Sequence, residues 1–129
     1  MIRYYPAPDI QERVKELVGS LGFDHIDVDR VICLRSRGSK ASRALARIHG
    51  LPRVWQRALA SDPLYVIEVI SERFDALGPD ERDKVLIHEL LHIPKGFGGG
   101  LRGHKKAINR KRVDRLYSML VSRAGASSR

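Results

Sequence analysis

The segment running from Gly78-Pro79-Asp80 to Pro94 constrains this 129-residue chain more than any other. Asp80 is suited to cap a helix, Glu81 and Asp83 favour its first turn, and Pro94 cannot continue it. Between these ends Val85, Leu86, Ile87, Leu90 and Leu91 make the helix so apolar that it must be central and buried. The same stretch nevertheless carries His88, Glu89 and His92. Residues four apart on an α-helix differ by about 40° in direction and about 6 Å in height, so the two imidazoles reach from one face toward one point. Glu89 is turned by about 100° from His88, beside that point rather than at it. Two imidazoles and a carboxylate in a buried helix are costly to desolvate unless something binds them.

A metal ion binds both imidazoles at once, and His88-Glu89-Leu90-Leu91-His92 is the HExxH pattern in which the glutamate serves a water on the ion. Catalytic zinc usually takes three protein ligands and leaves its fourth position to water. No glutamate follows Glu89, and the downstream residues of suitable type are His104 and Asp114. His104, twelve residues beyond His92 across a stretch in which five of eight residues are glycine, is favoured because an imidazole suits zinc. Asp114 stays open as the alternative, or as a residue that orients a ligating histidine through its second nitrogen. His49, in Arg47-Ile48-His49-Gly50-Leu51-Pro52, reads as a turn or surface residue. His25 lies among Asp24, Asp27 and Asp29, which lack the glycine and closing glutamate of a calcium loop.

The length suits one domain, 1–129, with no room for a separate lid. No apolar run approaches the roughly 20 residues of a membrane span. The start lacks the apolar stretch of a secretory signal and the single cysteine, Cys33, has no partner, so a cytoplasmic protein with a buried Cys33 is expected. Pro8-Asp9 followed by Ile10, Val14, Leu17, Val18 and Leu21 predicts an amphipathic helix ending at Gly22. Short β-rich runs follow at 31–34, 44–48, 54–58 and 64–70, which suggests a small sheet with mostly short connections. The glycines of 96–103 read as a flexible crossing, and a last helix from about 105 to 121 turns Ile108, Val113, Leu116 and Leu120 inward before the tail frays.

The net charge of +9 is unevenly placed. Residues 1–94 hold 14 Lys+Arg against 14 Asp+Glu; residues 95–129 hold 10 against 1, so the whole excess follows the motif. Lys105, Lys106, Arg110, Lys111, Arg112 and Arg115 crowd a few helical turns, which favours an anionic partner such as nucleic acid, the alternative being a solvated basic helix.

His88-Glu89-Leu90-Leu91-His92-Ile93-Pro94, Phe97, the glycines and Arg102-Gly103-His104, with the run Tyr65 to Phe74 before them, resemble the metallopeptidases of archaea and their phages over roughly residues 43–104. The resemblance implies an α+β minimal zincin-like fold: a small twisted sheet packed on the HExxH helix, flanked by N- and C-terminal helices. It implies one zinc ion per chain on His88, His92 and His104, and peptide hydrolysis by a metal-activated water with Glu89 as the general base. The gap between His92 and His104 is similar to that of the SprT-like proteases, which cut proteins crosslinked to DNA. By the same analogy, the strand at 64–70 would be the edge on which a peptide substrate lies; by residue type only, Tyr117 and Arg102 are candidates to stabilise the oxyanion. The competing function is a zinc-stabilised nucleic-acid-binding or regulatory module with weak or no peptidase activity.

Overall fold

The computed structural model describes residues 1–39, 43–104 and 108–127, with side chains as far as residue 124. Strand β1 (Arg3–Pro6) leads into helix α1 (Pro8–Leu21), which Pro8 opens and Gly22 closes in the left-handed conformation. α1 buries Ile10, Val14, Leu17, Val18 and Leu21, the stripe expected from their spacing. A single 3₁₀ turn, Val28–Arg30, precedes β2 (Val31–Arg37). Then come β3 (Ala46–Gly50), α2 (Arg53–Leu59), β4 (Tyr65–Ile70), α3 (Ser71–Phe74), α4 (Pro79–Leu91) and α5 (Arg110–Ser127). The class is α+β and zincin-like, and no described helix is long and apolar enough to cross a membrane.

The four strands form one mixed sheet in the order β1-β2-β4-β3. β2 and β4 run parallel, with Val31 opposite Tyr65 and Cys33 opposite Ile67, while β3 pairs antiparallel to β4, with Ala46 opposite Val69 and Ile48 opposite Ile67. One face is apolar: Val31, Cys33, Tyr65, Ile67 and Val69 are buried and join the helix side chains Val14, Leu17, Leu86, Ile87 and Leu90 in a single core. Each such aliphatic side chain contributes roughly 1.5–3 kcal/mol on burial. Burial also pushes the Cys33 thiol up to about 12, so it is a core residue and no nucleophile. Ion pairs tie the layers together: Arg13 of α1 grips Asp83 of α4 at 2.8–2.9 Å, and Arg35 of β2 holds both Asp9 and Asp75.

Four expectations need correction. The run 54–58 is not a strand but lies in α2, which starts directly after Pro52, whose fixed φ suits the residue that opens a helix. The strand at 64–70 is not an edge, because β4 is paired on both sides and β3 takes the border position. Gly78, not Asp80, stands at the N-cap of α4, with Pro79 in the first turn. α5 begins at Arg110 and continues to Ser127 rather than fraying before the tail; Lys105, where the helix was expected to begin, lies outside the described residues. Ile108, Val113, Leu116 and Leu120 are buried as their spacing predicts.

Candidate metal centre

Helix α4 supplies half of the site. His88 lies in its last turn and His92 one residue past its end, still with helical backbone (φ −70°, ψ −17°), so the rings stand 5.1 Å apart on one face. Glu89 is 7 % exposed, and burial pushes its carboxyl up to about 7. Burial, reinforced by the neighbouring His92 and His104, lowers the pKa of His88 and so favours the neutral ring that keeps a lone pair for a ligand. The end of this helix is fixed from outside, because His25 Nε2 donates to the carbonyl of Ile93 at 3.2 Å.

The other half is a loop, and it is not the flexible crossing its glycines suggest. Tyr65, fully buried at the start of β4, donates its hydroxyl to the Gly100 carbonyl at 2.7 Å and accepts the Gly99 N–H at 2.9 Å. The Phe97 ring packs on Tyr65 at 5.0 Å, and Gln56 Nε2 of α2 donates to the carbonyls of Leu51 and Gly98. Gly99 has φ +98°, and a Cβ there would meet the Leu51 oxygen and the Gln56 amide nitrogen at 2.3 and 2.5 Å, so only glycine fits. Three residues further on, the Arg102 N–H donates to the His92 carbonyl at 2.7 Å, and His92 Nδ1 donates to the Arg102 carbonyl at 2.6 Å. The chain thus clasped to the end of α4 delivers His104, whose Nε2 lies 2.9 Å from His88 Nε2.

The ligand atoms of His88, His92 and His104 all lie within 4.8 Å of one another. Three ring nitrogens facing one point cannot all find donors among themselves, whereas a cation satisfies all three. The Arg102 carbonyl fixes the proton of His92 on Nδ1, which leaves Nε2 as an acceptor; this is the arrangement that orients metal-binding histidines. Ligand nitrogens around tetrahedral zinc, with bonds of roughly 2.0–2.1 Å, stand about 3.3 Å apart, so the donor set fits such an ion.

The other sequence candidates lie elsewhere. Asp114 faces Lys84 at 3.4 Å instead of the histidines. His49 projects from β3 to the buried carboxylate of Glu68 at 2.9 Å, a surface residue as expected. Tyr117 commits its hydroxyl to Asp80 at 2.6 Å, near the start of α4, which pushes its pKa up to about 12 and removes it as an oxyanion donor for this site. Tyr65, Gln56 and the Arg102 carbonyl were not found from sequence. Tyr65 alone carried a signal, since a tyrosine inside an apolar strand must find a partner for its hydroxyl.

With this geometry in place the comparison with known families is decisive: the family model described as "Putative phage metallopeptidase" matches residues 2–121. The chain belongs to that family. No curated protein and no solved structure matches it significantly. A metallopeptidase family and a three-histidine site agree on a metal ion as the group this centre is built for.

Proposed function

We propose that this family member hydrolyses peptide bonds with a zinc ion held by His88, His92 and His104 and with Glu89 as the general base. The observation that supports it best is the convergence of three imidazoles beside a buried carboxylate at the wall of an open cleft. Zinc, when bound, supplies Lewis acidity toward water and toward a carbonyl oxygen. Glu89 takes a proton from the attacking water and returns it to the leaving nitrogen, and its low-dielectric surroundings keep its basicity high enough for that exchange near neutral pH. The substrate chain lies along β3, the strand at the border of the sheet nearest α4, and pairs with its open side by main-chain hydrogen bonds. Arg102, adjacent to the site through its backbone, is the remaining candidate to hold the oxyanion.

The alternative, a zinc-stabilised module without chemistry, is disfavoured by ligand type. Structural zinc sites in intracellular proteins are usually rich in cysteine, and the single Cys33 is buried in the core. Glu89→Gln separates the two readings, because glutamine keeps the shape and removes the base. It should retain about one zinc per chain by elemental analysis while hydrolysis of an unfolded protein falls by roughly 10²–10⁴-fold. Parental hydrolysis by this variant would sink the general-base assignment.

The basic end of the chain supports an added reading, a peptidase recruited to proteins on nucleic acid. Lys111, Arg112 and Arg115 are exposed on α5 and have no carboxylate partner among the described residues; Lys105 and Lys106 lie outside them. Titration of labelled DNA against salt should show affinity falling steeply, with a slope reduced by about 1 for each contacting cation neutralised. Binding that ignores salt, or none at low salt, returns α5 to a solvated surface.

A further inference from the structure

Resting on the peptidase reading, we infer that the cavity beside Glu89 receives a carboxylate of the substrate on the C-terminal side of the cut bond. β3 runs from Ala46 to Gly50. A peptide pairing antiparallel to its open side therefore places its N-terminal residues beside Gly50 and its C-terminal residues beside Ala46. A cavity of about 550 Å³ lies at the Ala46 end, with His88 and Glu89 on its wall. Its apolar lining comes from Leu45, Ala46, Val85 and Val113, one contribution from each element that meets there and one from the approach to β3.

The charges around this cavity are unequal in what they leave free. Lys84 Nζ lies 3.4 Å from Asp114 and 3.9 Å from Glu81, so one cation is shared by two carboxylates and these three leave a single negative charge. Arg43 and Arg110 also line the cavity, both are exposed, and neither has a carboxylate partner among the described residues. The two guanidiniums outnumber the one carboxylate charge left beside Lys84, and together with the apolar lining they suit a side chain that carries methylenes and an anion at its tip. Glutamate has that form, and a guanidinium binds its carboxylate through two parallel hydrogen bonds. The free C-terminus of a short substrate offers the same chemistry, and the two sources are separable by peptide design.

The test uses amidated peptides that differ only in the residue after the cut, Glu, Gln or Lys, and a Gln peptide that ends there with a free carboxylate. Binding is read by fluorescence anisotropy on zinc-loaded Glu89→Gln protein, and cleavage sites and rates by mass spectrometry on the parental enzyme. The Glu peptide should bind about 10- to 100-fold tighter than the Gln peptide and be cut in that preference. Arg43→Gln and Arg110→Gln should each shrink the ratio, and the double reversal Arg43→Glu, Arg110→Glu should turn it toward Lys. Tighter binding of the free-carboxylate peptide than of the amidated Glu peptide assigns the pocket to chain ends. Equal binding of Glu, Gln and free-carboxylate peptides, or a Glu preference that survives the double reversal, overturns the inference. The binding arm needs no turnover, so loss of hydrolysis with the Glu preference intact would count against the peptidase reading and leave the carboxylate pocket standing.

Discussion

The two halves of the histidine centre are built by different means. On α4 the helix itself sets the spacing of His88 and His92: one backbone geometry, stabilised by a buried apolar face, fixes two imidazoles and Glu89 together. On the loop nothing periodic operates. His104 reaches the same point only because Tyr65, Gln56 and the paired hydrogen bonds between His92 and Arg102 hold a glycine-rich segment to the sheet and to the helix end. A helix positions ligands through local geometry, whereas a loop must be positioned by partners far away in the chain. The two halves should therefore fail differently.

Tyr65→Phe is the sharpest way to pull them apart and carries the larger expected effect. Phenylalanine keeps the ring against Phe97 but leaves the Gly99 N–H and the Gly100 carbonyl without their partner. Orphaned polar groups in such a setting cost about 1–3 kcal/mol, readable in urea denaturation. Zinc affinity, measured by competition with a chelator, should fall roughly 10–100-fold, as for other changes behind a ligand. His88 and His92 should remain in place, so the residual binding should be that of a two-histidine site. Unchanged affinity in a folded Tyr65→Phe protein would show that the loop half does not depend on this hub.

The same contrast explains what could be read in the sequence. The helix half was legible because a period of 3.6 residues, an apolar face and a stop at Pro94 are all local, and His88, Glu89 and His92 fall where that pattern places them. His104 could be favoured over Asp114 by residue type, and the loop does bring it to the other two histidines. What held the loop was hidden. The glycines at 98–100 look the same in a mobile linker as in a segment pinned by Tyr65, and Gln56 was obscured because Val54 and Trp55 gave its short helix the composition of a strand. The order of the strands was hidden too: β2 and β4 run parallel across a connection that contains β3 and α2, a pairing between distant residues that no short window contains. That is why the strand at 64–70 reads as an edge although it is paired on both sides, while the strands at 31–34 and 64–70 themselves are legible.

The smallest expected effect tests whether the two halves share a frame that can be loosened without touching either. α1 is tied to the sheet by Arg35, which binds Asp9 at 2.6–2.7 Å and keeps a second partner in Asp75. The hydrogen bond to Arg35 lowers the Asp9 carboxyl from 3.8 to about 2. The folded pKa is thus depressed, so the unfolded chain binds the proton more readily. The contribution of Asp9 is then fully present above about pH 4 and is lost as pH falls through about 2. Because the Asp9 side chain is 57 % exposed, solvent screening limits it to about 1 kcal/mol or less. Urea denaturation of the parental protein and of Asp9→Asn should therefore differ modestly at pH 5 and converge toward pH 2, while zinc affinity at neutral pH stays the same in both. A stability difference that does not change with pH would assign the effect of Asp9→Asn to packing instead of charge. A loss of zinc affinity in this variant would show that the position of α1 is felt at the histidines, through the Arg13 to Asp83 contact that joins it to α4.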